Sequence, residues 1–313
     1  MATTKILVLG AGELGTAILT SLSQLAPPHT SITVLLRPST INSTNPSKLT
    51  ELNHLKYLNI AFLPGDISTS TPSSLSSLFQ PFDLIINCLG FASGPSSQIK
   101  ITKAVLDAKV KRFVPWQFGV DYDIVGRDSA QELWDEQLDV RDLLREQEGT
   151  EWIVVSTGMF TSFLFEQFFG VVDFGEEEGE VTVRALGGWE NRVTVTTPDD
   201  IGKLTAMAVF ETPNLKNQII YTAGETISYA RVAEIVEKLV GEGRKVNREV
   251  WSVEKLREDL KADPEDAVKK YRVVFAEGKG VSWDEGKTFN VQRGIEVTDV
   301  EGFAREKFGA IKK

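Results

Sequence analysis

Apolar and polar positions in the first half of the chain alternate between two patterns. Short, continuous apolar runs bounded by turn residues read as buried strands over residues 5–10, 31–37, 59–63, 84–89, 112–115 and 152–156. Between them, apolar residues recur at helical spacing. Leu14, Ile18, Leu22 and Leu25 make one stripe, and Ile101, Ala104, Val105 and Ala108 make another within residues 97–108. This alternation predicts a parallel sheet covered by helices on both faces. The Ser/Thr-rich tract at residues 68–74 is short and runs into Leu75, Leu78 and Phe79, so it reads as a loop capping a short helix.

Beyond about residue 160 the pattern is mixed. An acidic turn over residues 175–180 precedes a strand at 181–184, and another strand at 193–196 leads into Thr197-Pro198-Asp199-Asp200. That tetrad predicts a helix start, with Thr197 as N-cap, Pro198 in the first position and acids in the first turn. Residues 230–239 are amphipathic through Val232, Ile235, Val236 and Leu239.

The first strand empties into Gly10-Ala11-Gly12-Glu13-Leu14-Gly15, and a helix and a second strand follow at the spacing of a βαβ unit. That context turns a weak G-x-G-x-x-G match into a pyrophosphate-binding expectation. Gly10 permits the tight turn, Gly12 lets the backbone approach phosphate, and Gly15 lets the helix pack on the strand, while N–H groups around Glu13 and Leu14 face the anion. The residue ending the second strand selects the cofactor. An acid there binds a ribose 2′-OH, whereas this chain offers Arg37, then Ser39 and Thr40, with no carboxylate nearby to repel the extra charge. NADP(H) is the expected cofactor, with Lys48 as a weaker second cation. The fold class expected is α/β, a Rossmann doubly wound parallel sheet with a smaller C-terminal α+β lobe. Residues 1–158 would form the NADP-binding domain and residues 159–313 the substrate lobe, interleaved with it.

Composition narrows the function further. A net charge of −10 over 313 residues, without a Lys/Arg cluster, argues against nucleic-acid binding. One cysteine, Cys88, excludes an internal disulfide framework, and it reads as strand packing; two histidines supply no zinc-type ligand set. No leader pattern and no apolar run near the ~18 residues of a membrane span are present, so a soluble, cytoplasmic protein is expected. Oligomeric state is not legible in the sequence.

The glycine-rich run, Leu36-Arg37-Pro38-Ser39-Thr40, Pro64-Gly65-Asp66, Gln98 and residues 110–119 with Pro115-Trp116-Gln117-Phe118-Gly119 resemble the isoflavone reductase and phenylcoumaran benzylic ether reductase group. That group belongs, with NmrA-like proteins, to the atypical short-chain dehydrogenases. The Pro-Trp-Gln-Phe-Gly variant and the following Val120-Asp121-Tyr122-Asp123 resemble fungal members called aromatic alcohol reductases. The resemblance implies NADPH in an extended cleft, with Leu89, Gly90 and Phe91 near the pyrophosphate and nicotinamide and Asp66 and Ile67 by the adenine. It also places the loops bearing Gln117, Phe118 and Thr157 by the cofactor, and Phe91, Gly119, Gly158, Phe160 and Phe163 by an aromatic small-molecule substrate.

One departure from the family pattern bears on the chemistry. Plant reductases of this group carry a lysine three residues before an aliphatic-Arg pair, implicated in proton transfer; here the pair is Val140-Arg141 and the position holds Gln137. Helical geometry puts Leu133, Gln137, Val140 and Leu144 within roughly 60° of one another, so Gln137 faces inward. An amide can orient a carbonyl but cannot act as general acid. It reads equally as a satisfied structural amide. The Tyr-x-x-x-Lys pair is absent too, since Tyr57, Tyr122, Tyr221, Tyr229 and Tyr271 are followed four positions on by Ala61, Gly126, Glu225, Ala233 and Phe275. Tyr122, with Asp121 and Asp123, is the nearest donor candidate, and the same cluster also reads as a loop with solvated carboxylates. Phe160, Phe163, Phe165, Phe168 and Phe169 either line an apolar pocket or form core. Two functions follow from these residues: an NADPH-dependent reductase that delivers hydride to a carbonyl, imine or benzylic carbon, or an NmrA-like redox-sensing regulator that binds the dinucleotide without turnover.

Overall fold

The apolar run at the start of the chain forms β1 (Thr4–Leu9), whose last four residues are fully buried. The computed structural model describes residues 3–90, 93–175, 180–241 and 244–309. After β1 come α1 (Glu13–Leu25), β2 (Thr30–Leu36), α2 (Pro38–Ile41), α3 (Pro46–Tyr57), β3 (Ala61–Pro64) and α4 (Pro72–Phe79). Next are β4 (Leu84–Asn87), α5 (Ser97–Asp107), β5 (Arg112–Val114), α6 (Tyr122–Val125), α7 (Asp135–Arg145) and β6 (Glu151–Ser156). They are followed by β7 (Met159–Phe160), β8 (Val172–Asp173), β9 (Val181–Leu186), β10 (Arg192–Thr196), α8 (Pro198–Phe210) and β11 (Gln218–Tyr221). The last elements are β12 (Glu225–Ser228), α9 (Tyr229–Val240), β13 (Val246–Trp251), α10 (Val253–Ala262), α11 (Ala267–Glu277), α12 (Phe289–Gln292) and α13 (Val300–Phe308).

The chain divides into two compact units, one of residues 1–118, 136–155 and 201–220, the other of residues 119–135, 156–200 and 221–313. Relative to a cut at residue 158, residues 119–135 and 156–158 therefore lie with the second unit and 201–220 with the first. The first unit is built on a seven-stranded sheet of order β11-β6-β5-β4-β1-β2-β3. β1 to β6 pair in parallel, and Val8 stands opposite both Val34 and Ile86. The chain grows from β1 through β2 to β3, then returns to the other side of β1 for β4. That reversal makes the doubly wound fold, and in open α/β sheets ligands bind outside the strands' C-terminal ends at such a reversal, here between β1 and β4.

Local chemistry sets the element ends. α1 buries Leu14, Ile18 and Leu22, but Leu25, expected in the same stripe, is 44% exposed at the helix's final position. β4 stops at Asn87, earlier than the apolar run suggests, because the Asn87 side chain accepts from Leu89 N at 3.0 Å and turns the chain. Cys88 therefore follows the strand instead of lying in it. The Ser/Thr tract is a capping loop: Thr71 Oγ accepts from Ser74 N at 3.2 Å, and Pro72 opens α4. Thr197 caps α8 in the expected way, accepting from Asp200 N at 3.1 Å while its hydroxyl donates to Asp200 Oδ2 at 2.7 Å.

The second unit holds two three-stranded sheets, β12-β10-β7 and β13-β9-β8. α9 buries Val232, Ile235, Val236 and Leu239 as its pattern predicts. Most of the acidic turn at 175–180 lies outside the described residues. Among the described residues no helix is long and apolar enough to cross a membrane.

α8 approaches α1 at Gly202, where an added Cβ would stand 2.5 Å from the backbone of Ala17. Helix propensity alone favours Gly202→Ala by ~1 kcal/mol. Backbone does not yield as a flexible side chain does, and forced overpacking costs ~1–3 kcal/mol. The net cost of Gly202→Ala is then about 0–2 kcal/mol, which should lower the thermal midpoint by up to several degrees. A higher midpoint would contradict the packing described.

Candidate active site

The glycine-rich turn sits between β1 and α1. Gly10 has φ +89°, a left-handed conformation that favours glycine, and its N–H donates to Leu35 O at 3.2 Å. A Cβ on Gly15 would lie 2.3 Å from Gly10 O, so the helix can come this close to the turn only without a side chain there. Gly12 is different. Its φ is −76° and a Cβ there would meet nothing within 4 Å. As N-cap of α1, Gly12 has no side chain to satisfy the first-turn N–H groups at the positive end of the helix dipole. Glu13 is exposed, whereas the Leu14 side chain belongs to the core, so Leu14 can contribute only its backbone.

Arg37 and Ser39 are exposed at the end of β2, where Arg37 is the N-cap of α2. The sequence shows no carboxylate beside Arg37, but the fold supplies one. β2 and β3 pair so that Leu36 faces Pro64, which brings Asp66 close to the guanidinium. The Ser68 hydroxyl, 2.6 Å from Asp66, is the main cause holding the Asp66 carboxyl below its usual range, and the charge of Arg37 adds to it. Asp66 is thus turned onto Ser68, and Arg37 makes no ion pair among the described residues. Lys48, on α3, is already paired with Glu51, which disfavours it as a phosphate donor. Ile67 is buried and its carbonyl accepts from Lys100 Nζ at 2.7 Å, a tether that sequence reading missed.

Beyond β4, the Leu89 side chain abuts the glycine turn; a Cβ on Gly10 would stand 2.5 Å from Leu89 Cδ2. Gly90 lies under the Trp116 ring, 3.0 Å from where its Cβ would be. Phe91 falls outside the described residues. A buried amide pair fixes this turn: Asn87 Nδ2 donates to Gln98 Oε1 and Gln98 Nε2 to Leu89 O, both at 2.8 Å. Burial pushes the Cys88 thiol well up, so it is a poor nucleophile.

At the end of β5, Gln117 is fully buried. Its Nε2 donates to Gln137 O at 2.8 Å and its Oε1 accepts from Arg141 Nε at 2.7 Å. The side chain expected at the cofactor is bonded to α7, and Phe118 beside it is 6% exposed. Gln137 is completely buried, as its helix face predicts, although Leu133 lies outside the α-helix and Trp134 is the buried residue there. Both amide atoms of Gln137 lack a hydrogen-bond partner. Each atom without a protein partner costs on the order of 1–3 kcal/mol until a ligand or water meets it.

The remaining expected residues belong to the second unit. Asp121 is buried, which corrects the solvated-loop reading: its Oδ2 accepts from the Tyr221 hydroxyl at 2.6 Å, and it caps α6. Only Asp123 of that cluster is exposed. The Tyr122 ring meets Trp134 edge-on at 5.6 Å, and its hydroxyl lies over Gly119, 2.6 Å from where a Cβ would be. Thr157 is fully buried, donates its N–H to Gly119 O at 3.0 Å and accepts the Thr196 hydroxyl on its carbonyl at 2.7 Å. Gly158, at φ +72°, would place a Cβ 2.0 Å from Thr194 O, so its glycine is explained by packing. Phe160 and Phe163 are half-buried and touch at 5.9 Å, and Phe163 reaches the exposed Phe168. Phe165 and Phe169 are core, against Phe308 and Phe275.

Comparison with known proteins fits this arrangement. The model of the NmrA-like family matches residues 2–303. An NmrA-like family domain-containing oxidoreductase of Gibberella moniliformis is 45% identical over 96% of this chain and 97% of its own. A phenylcoumaran benzylic ether reductase of Populus trichocarpa is 29% identical over 77% and 76%. Among solved structures, the binary complex of leucoanthocyanidin reductase with NADPH from Vitis vinifera superposes with a TM-score of 0.78 at 20% identity, covering 98% of this chain and 99% of that one.

The contrast between the two glycines gives a direct test. Gly12→Val adds a side chain where nothing stands, so the variant should melt within a few degrees of the unaltered protein and yet fail to bind NADPH in a fluorescence titration. Normal binding by the folded variant would show that the turn is not a ligand cradle.

Proposed function

Because the chain belongs to the NmrA-like family, we propose that it is an NADPH-dependent oxidoreductase of the isoflavone reductase-like type, reducing a carbonyl, imine or benzylic carbon of an aromatic small molecule. The observation that carries this reading is the open, uncapped N-terminus of α1 in front of Gly12. A diphosphate fits it because backbone donors and helix dipole converge there and no side chain blocks the approach. Arg37 and Ser39 would take the 2′-phosphate, the guanidinium through its planar fork. The aromatic preference rests on the half-buried pair Phe160 and Phe163 and on the named chemistry of the Populus relative.

When bound, NADPH supplies the hydride. The protein's part is to bind, orient and exclude water. Gln137 offers two N–H donors and one carbonyl acceptor from a fully buried position, enough to orient a substrate carbonyl or a carboxamide. It has no proton to give, so protonation of the product falls to water or to a hydroxyl. We assign the hydroxyl role to Tyr122, the tyrosine that follows the Pro115–Gly119 run in the chain.

Arg37→Ala should weaken NADPH binding by roughly 1.5–3 kcal/mol, the worth of charge-assisted hydrogen bonds. NADH binding should not change, and equal losses for both would contradict the assignment. In steady-state assays with NADPH and a panel of aromatic aldehydes, ketones and enones, Gln137→Ala should raise KM and leave both limbs of the pH profile in place. Tyr122→Phe should remove one limb. A limb that disappears with Gln137 and persists without Tyr122 would reverse these roles.

A further inference from the structure

α5 begins without the cap its own sequence offers. Ser96 holds the N-cap position at φ +61°, a conformation unfavourable for a residue with a side chain, and its hydroxyl makes no capping bond. The donors are met instead by one carboxylate from α7. Glu136 Oε2 accepts from Ser96 N at 3.0 Å, and Oε1 accepts from Gln98 N at 2.7 Å and Ile99 N at 3.2 Å. Two helix N-termini thus open beside the β1/β4 reversal, one following each strand. The chain's own anion fills the one on α5, and the one on α1 has no side-chain acceptor. A dinucleotide's diphosphate is left with a single seat.

The same carboxylate controls what surrounds that seat. Gln98, whose N–H Glu136 binds, holds the Leu89 carbonyl and Asn87 with its side chain, and Leu89 packs on Gly10. On the other side, Glu136 immediately precedes Gln137 on α7. We propose, resting on the dinucleotide reading above, that Glu136 is a positioning residue. It locks the 89–90 turn and the Gln137 helix to each other, so that the β4 side of the site is set before the ligand arrives. The β2 side is independent of it, because the sheet places Arg37 across β1 from β4.

That asymmetry separates positioning from simple capping. NADPH spans both sides, whereas adenosine 2′,5′-bisphosphate carries only the adenosine half recognised near Arg37. Calorimetric titration of Glu136→Ala should show NADPH affinity reduced about tenfold and adenosine 2′,5′-bisphosphate affinity within about twofold of the unaltered protein. Glu136→Gln keeps the volume and one acceptor oxygen, so it should recover most of the loss; it also serves if the alanine variant does not fold. Equal losses for the two ligands, or no loss for either, would overturn the proposal. Failure of the unaltered protein to bind either ligand would overturn the dinucleotide reading itself.

Discussion

The approach of the Gly15 backbone to the Gly10 carbonyl, where an added Cβ would lie only 2.3 Å from the oxygen, is the constraint on which the cofactor end of the structure depends. Close packing there brings the first turn of α1 directly over the end of β1. The helix then presents its uncapped donors to the crevice. A side chain at Gly15 would lift the helix away and separate those donors from the strand ends. The open space before Gly12 is useful only because Gly15 is closed.

A second constraint is polar. Asn87, Gln98 and Glu136 form a chain of hydrogen bonds from the end of β4 to α7, and Gln117 joins α7 to the end of β5 through Gln137 O and Arg141. Buried networks of this kind favour one arrangement because a partly broken one leaves desolvated donors and acceptors. The Gln137 amide, on the same helix, has neither atom bonded within the protein. Local rules tend to be broken at functional sites. The Gln117 side chain nearby is bonded at both its amide nitrogen and its oxygen.

Much of this was legible in the sequence where the signal is local. The strand-turn-helix at Gly10 to Gly15, the caps at Thr71 and Thr197 and the inward face at Gln137 all depend on residues within one or two turns of each other. What escaped depends on distant pairing. Asp66 reaches Arg37 only through the register of β2 with β3, and Glu136 caps a helix 38 residues earlier in the chain. Nothing near Ser96 announces that its cap is supplied from elsewhere. β11 escaped for another reason: four residues, Gln218 to Tyr221, are too few to show a period.

The most direct measurement is a crystal structure of the protein with NADPH. The account predicts diphosphate oxygens about 2.7–3.2 Å from the first-turn N–H groups of α1, the 2′-phosphate on Arg37, and the Gln137 amide hydrogen-bonded to the nicotinamide end directly or through one water. A diphosphate seated anywhere other than on α1, or a Gln137 amide still unpartnered and more than roughly 10 Å from the nicotinamide, beyond even a water bridge, would contradict it.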